Sequence, residues 1–156
     1  MNDRRSILKS PSADTRSADH AVTMKELEKS TAMHISDVAK AMRWFADRIE
    51  EAGETHDWTK MEFMDEFYDQ FSKAQKTGEW GNGWYDEIHI VKERHHLNDR
   101  VPVDVDLVDV FEHIADCVMA GLARSGEFRK EDIPVSVLKK AYDNTVEKLL
   151  SVVDVK

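Results

Sequence analysis

The residues of this chain whose types and spacing could do chemistry are histidines and carboxylates. His56 and Asp57 are adjacent and lead into Trp58-Thr59-Lys60, giving H-D-x-x-K, with His34 upstream and Asp116 downstream. Neighbours on a regular helix diverge by about 100°, but at a helix start the backbone lets both side chains turn toward one ion. Asp116 is the only polar residue in 115–123 (ADCVMAGLA). A buried ionised carboxylate without a partner costs several kcal/mol, so Asp116 calls for a cation, an ion pair or a metal. Imidazole and carboxylate together suit zinc, manganese, iron, cobalt or nickel. Lys60 adds a cation that can offset charge building on phosphate oxygens. Three more histidines, His89 and the pair His95-His96, stand in H-I-V-K-E-R-H-H-L-N. His89 and His96 are two helical turns apart and share a face if the segment is helical, whereas His95 faces elsewhere.

The elements that must position these groups read as helices. Residues 1–22 are rich in Ser, Asp and Arg and poor in large apolar groups, which predicts a flexible tail. Thr23 and Glu26 have capping-box spacing. They open a helix over 24–52, whose stripe of Val38, Met42, Phe45, Ile49 and Ala52 should be buried, with His34 one turn before Val38. Gly53 is the expected stop. A second helix follows from about Thr55 to 76, with His56 and Asp57 in its first turn and Met61, Met64, Phe67 and Phe71 on its apolar face. After the Gly-rich loop 78–83, a third helix over 84–97 carries the three downstream histidines. Asp104 and Asp106 offer caps for a fourth, which ends near Ser125-Gly126 and has Leu107, Phe111, Ile114, Val118 and Leu122 on one face. A fifth spans 134–153.

Composition agrees with an all-α domain over 23–156. The 156 residues include only six glycines and three prolines, and scarce breakers favour long helices. A net charge of -9 argues against a general nucleic-acid backbone binder, which needs clustered Lys and Arg. It leaves nucleotides open as substrates, because bound metal inverts the local charge. Cys117 is the sole cysteine and has no internal disulfide partner. Neither the apolar core of a signal peptide nor the ~18 apolar residues of a membrane span is present, so the expectation is a soluble cytoplasmic protein without membrane partners.

The ordered set His34, His56-Asp57, Asp116 resembles the HD phosphohydrolase superfamily over about residues 24 to 125. The resemblance implies the HD-type helical bundle of about five helices around a central metal site. His89 and His95-His96, downstream of H-D-x-x-K, are similar to the two-metal branch of that superfamily, which includes cyclic-dinucleotide phosphodiesterases of the HD-GYP kind. The likeness is closer to small HD-type proteins often encoded by bacteriophages. The chain departs from the HD-GYP pattern at Asn98-Asp99-Arg100-Val101-Pro102, where no Gly-Tyr-Pro element follows the paired histidines. Cyclic di-GMP is therefore not the expected substrate.

The resemblance implies two divalent ions, of Mn, Fe, Zn, Co or Ni. His34, His56, Asp57 and Asp116 would hold the first and His89, His95 and His96 the second, with Asp57 as bridge. A metal-activated water would attack a nucleotide or related small phosphoester, with Asp57 and Lys60 as catalytic residues. Two rivals stand beside that reading: a di-iron oxygenase of the same fold cleaving C–C or C–P bonds, and a non-catalytic phage protein that binds a host factor. A homodimer is left open. His20 and His113 match nothing in the pattern, and His113 reads as a surface histidine. Trp44, Trp58, Trp80 and Trp84 read as packing groups, with Trp80 or Trp84 placed to border a pocket.

Overall fold

The structure, a computed structural model, describes residues 7–10, 14–81, 83–128 and 131–155. It is all-α apart from one short parallel strand pair. The chain divides into two compact units, Met1–Arg48 with Val146–Lys156, and Ile49–Thr145.

In the first unit, β1 (Ile7–Lys9) pairs in parallel with β2 (Val153–Val155), in the register Ile7 to Val153 and Lys9 to Val155. The segment expected to be free tail thus contains a strand, and Ser10 N–H continues the attachment by donating to Asp37 Oδ2 at 2.9 Å. Other parts of that tail, residues 1–6 and 11–13, lie outside the described residues. Helix α1 (Met24–Thr55) begins with the expected box: Thr23 N–H donates to Glu26 Oε2 at 2.8 Å, and Glu26 N–H donates back to Thr23 Oγ1 at 3.3 Å. Its apolar stripe is not buried as predicted. Val38, Met42 and Ile49 are exposed, and Ser30 is the one buried residue of the helix.

Gly53 does not stop α1; the helix runs on to Thr55. The second predicted helix is two pieces, α2 (Trp58–Glu62) and α3 (Met64–Thr77), separated at Phe63, whose φ of -114° and ψ of 45° leave the helical region. Gly78 ends α3 at a φ of 75°, a left-handed conformation that glycine takes without a Cβ clash. The third predicted helix is also shorter. It consists of a π-helical turn, Tyr85–His89, followed by α4 (Ile90–Lys92), and it closes where Glu93 turns extended.

The fourth follows the sequence closely as α5 (Leu107–Ser125). Asp106 Oδ1 accepts from Val108 N–H and Asp109 N–H, Asp109 Oδ2 accepts from Asp106 N–H, and Gly126 terminates the helix at a φ of 74°. The last helix is α6 (Val135–Leu150). Leu97, Val105, Val110 and Ala141 form the apolar core of the second unit. Thr145 Oγ1 fastens α6 there by accepting from Leu107 N–H at 2.9 Å and donating to the Ala141 carbonyl at 2.7 Å.

Candidate metal centre

Three local departures from regular helix bring the candidate ligands together within the second unit. The first is the turn between α1 and α2. Asp57 has a φ of 57° and a ψ of 24° and is the only non-glycine at positive φ among the described residues. Aspartate tolerates this left-handed conformation better than most residues, and it breaks the helical phase that would splay His56 from Asp57. The second is the π turn, which shifts the phase of His89 relative to an α-helix; such turns recur at functional sites.

The third is the end of α4. Glu93 is extended, so His95 and His96 occupy a turn rather than successive helical positions, and both are buried or nearly so. Arg94 holds that turn: Nε and Nη2 donate to the two carboxylate oxygens of Asp109 at 2.7 and 2.8 Å, and Nη1 donates to Asp104 Oδ1 at 3.0 Å. The bidentate fork ties the histidine turn to the capped start of α5.

Asp57 is the hub of the cluster. Its Oδ1 lies 3.4 Å from His89 Nε2 and 3.8 Å from His95 Nε2, while Oδ2 lies 3.5 Å from His56 Nε2 and pairs with Lys60 Nζ. His56 Nε2 is in turn 3.6 Å from Asp116 Oδ1, an ion-pair separation rather than a hydrogen bond. Ligand atoms of His89, His95 and His96 all lie within 4.8 Å of one another. One carboxylate therefore faces two groups of donors, His56 with Asp116 on one oxygen and the downstream histidines on the other.

Partners behind the ligands fix their tautomers. Thr59 is fully buried and donates its hydroxyl to Glu93 Oε1 at 2.6 Å, so its oxygen accepts from His89 Nδ1–H at 2.7 Å. That leaves His89 Nε2 bare on the Asp57 side. Glu112 Oε1 stands 2.9 Å from His56 Nδ1 and accepts from it. It is also 2.9 Å from His95 Nδ1, but off the hydrogen-bonding direction, since that nitrogen has no partner. Residual orphans cluster here: Asp57 Oδ1, His95 Nε2 and His96 Nε2 are all buried without a hydrogen-bond partner. Leaving such atoms unpaired costs about 1–3 kcal/mol each, and a cation among them removes that cost.

The titration behaviour divides the cluster in the same way. Burial lowers His89 to about 3 and His96 to about 4, so both are neutral with lone pairs available. His56 moves the other way, up to about 10, because Asp116 and then Glu112 stabilise its cation. Asp116 is correspondingly held down at about 2 by His56. Burial pushes Glu112 up, but the hydrogen bond from His56 and the close approach of the His95 ring outweigh it and hold the carboxyl at about 2. Without metal, a protonated His56 between two carboxylates occupies part of the space a cation would take.

Of the residues predicted from sequence, His56, Asp57, Lys60, His89, His95, His96 and Asp116 come together. His34 does not. It is exposed on the part of α1 that belongs to the first unit. Three of the five residues in the stripe that was to bury it, Val38, Met42 and Ile49, are themselves exposed. His95 does not face away, because the helix that would have turned it outward ends at Lys92. Asp116 is not fully dry, with its side chain 30% exposed. His113 is not a surface residue; it is buried and donates Nδ1–H to the His95 carbonyl at 2.8 Å.

Sequence reasoning missed Thr59, Glu93 and Glu112. Only Glu112 carried a signal, since it precedes Asp116 by one helical turn and shares its face.

Several cavities adjoin the centre, among them one of about 320 Å³ lined in part by His56, Glu112 and Asp116. Another, of about 500 Å³, is lined by Lys60, His89, His96, Asp116 and Arg124 among others. A third, of about 580 Å³, has walls of Phe67, Phe71, Trp80, Trp84 and Tyr85. Lys60, Tyr85 and Arg124 line both of the larger two. Among the described residues, no helix is long and apolar enough to cross a membrane. No protein-family model, curated protein or solved structure matches the chain.

Proposed function

We propose that the protein is a metal-dependent phosphohydrolase acting on a nucleotide or a related phosphoester. The observation that carries the reading is the convergence of three buried, unpartnered donor atoms, Asp57 Oδ1, His95 Nε2 and His96 Nε2, in a cluster with His89, His56 and Asp116. Neutral imidazoles with a shared carboxylate form a donor set suited to a pair of first-row divalent ions. His56, Asp57 and Asp116 would hold one ion and His89, His95 and His96 the other, with Asp57 offering one oxygen to each. Such ions, when bound, supply Lewis acidity toward phosphoryl oxygens and acidify water.

The chain's own residues do the rest. Thr59 and Glu112 present the Nε2 atoms of His89 and His56 to the centre, the work that partners behind metal-binding histidines do elsewhere. Lys60 lines both of the larger cavities, and its ammonium is placed to stabilise charge developing on a phosphoryl group. Arg124 adds a second cation on the same walls. The aromatic cavity is of the size that encloses a small ligand and offers ring faces to a base or other flat group esterified to the phosphate.

Purified protein should contain first-row metal and release phosphate from a panel of nucleotides and aryl phosphates, and Asp57→Asn should lose both metal and turnover. Full metal content and unchanged turnover in that variant would refute the assignment. Oxygen consumption without phosphate release would favour the oxygenase chemistry of a di-iron centre instead.

A further inference from the structure

Helix α5 carries two ligand-type pairs at one-turn spacing, Glu112 with Asp116 and, one residue on, His113 with Cys117. The first pair faces the centre described above, but the second is not used by it. His113 donates Nδ1–H to the His95 carbonyl at 2.8 Å, so the proton of its neutral ring is on Nδ1 and Nε2 carries a lone pair. That lone pair lies 3.6 Å from Cys117 Sγ and 3.8 Å from Glu131 Oε2, and one ligand atom from each of the three residues falls within 4.8 Å of the others.

The separations fit a shared ion. A thiolate sulfur at about 2.3 Å and an imidazole nitrogen at about 2.0–2.1 Å from a tetrahedral zinc stand about 3.6 Å apart, and nitrogen and oxygen ligands about 3.4 Å. The sulfur–nitrogen pair already meets the first figure, and the carboxylate stands only a few tenths of an ångström beyond the second from the imidazole nitrogen. All three residues line the cavity of about 500 Å³, so an ion and a water as fourth ligand can enter from solvent. Asn98 Nδ2 donates to Glu131 Oε2 and restrains the carboxylate on that side.

We propose that His113, Cys117 and Glu131 form a second, separate metal site that binds a borderline-soft divalent ion of the zinc type through one sulfur, one nitrogen and one oxygen. Binding breaks the Cys117 S–H bond, the proton passes to solvent, and sulfur gives its electron pair to the ion. Occupancy would also fix the ring that holds the His95 backbone, which couples this site to the adjacent centre.

Sulfur distinguishes the two sites, because the central cluster offers only nitrogen and oxygen. Metal-free protein titrated with Co²⁺ should develop sulfur-to-cobalt charge-transfer absorption in the near ultraviolet. Cys117→Ser should abolish that band and lower the bound cobalt by one equivalent, while the visible d–d bands of the nitrogen and oxygen sites remain. Glu131→Gln should weaken the cobalt-thiolate affinity by about tenfold, and Zn²⁺ should protect the thiol from a disulfide reagent at about tenfold lower concentration in the wild-type chain than in Glu131→Gln. Absence of the charge-transfer band at saturating Co²⁺, or an unchanged stoichiometry in Cys117→Ser, would overturn the proposal. Loss of the d–d bands with the sulfur band intact would instead count against the central site.

Discussion

Replacing Thr59 by Val removes one hydroxyl and almost no volume, which isolates the part that this oxygen plays behind His89. Thr59 is fully buried, and its hydroxyl both accepts from His89 Nδ1–H at 2.7 Å and donates to Glu93 Oε1 at 2.6 Å. In the valine variant the His89 donor is stranded in a site where the ring is only 1% exposed, a cost of about 1–3 kcal/mol. Glu93 retains its bond from Thr59 N–H, so it loses one of two bonds, about 1 kcal/mol more. The expected destabilisation of the metal-free protein is therefore about 2–4 kcal/mol, within the 5–15 kcal/mol of a typical domain, and the fold should survive.

Thr59→Ser keeps the hydroxyl and drops a methyl, for about 1 kcal/mol. Urea denaturation measures both. Metal titration by calorimetry supplies the second readout. Under the proposed function, with Nδ1 no longer held, metal affinity at His89 should fall about 10- to 100-fold in Thr59→Val and stay near wild type in Thr59→Ser. A valine variant that matches wild type in both stability and metal affinity would refute the tautomer argument. One that loses stability while binding metal normally would reduce Thr59 to a packing residue.

Further outcomes follow from other contacts. Arg94→Met should cost about 2 kcal/mol, because nearly buried Asp109 loses its bidentate partner, and amide exchange should quicken across 94–97 and the start of α5. In metal-free protein the raised pKa of His56 means its contribution is full below its ordinary 6.5 and lost as pH rises toward about 10. The stability gap between wild type and His56→Gln should close across that interval when followed by urea midpoints. Under the proposed function, Trp80→Ala should raise KM about tenfold for aryl phosphoesters and leave KM for small alkyl phosphates unchanged, since a lost stacking face is worth about 1–3 kcal/mol.

Much of this was legible from residue types, and what was not has identifiable causes. Thr23 with Glu26, and Asp106 as a cap, announce helix starts because local hydrogen bonding decides them, and Gly78 and Gly126 mark ends because the backbone there is left-handed. His56, Asp57, His89, His96 and Asp116 were recognisable by chemistry. The break after Lys92 was not, since no proline or glycine stands at Glu93 and the turn depends on Arg94 reaching Asp109 from fifteen residues away.

The same limit misplaced His34. Periodicity of Val38, Met42 and Ile49 identifies an apolar stripe, but burial depends on what packs against it, which no local pattern contains. Thr59 and Glu93 were invisible for a related reason: a hydroxyl and a carboxylate in helical sequence look solvent-facing until the fold encloses them.

The left-handed backbone at Asp57 has a genetic consequence. Only aspartate, asparagine and glycine occupy such a conformation at low cost. The codons for asparagine and glycine are each a single nucleotide change from an aspartate codon. The commonest mutations that the fold tolerates at this position are thus also those that remove its negative charge. Under the proposed function, a population of this gene under random mutation should accumulate, at one codon, chains that fold and persist in the cell yet fail to assemble the central site.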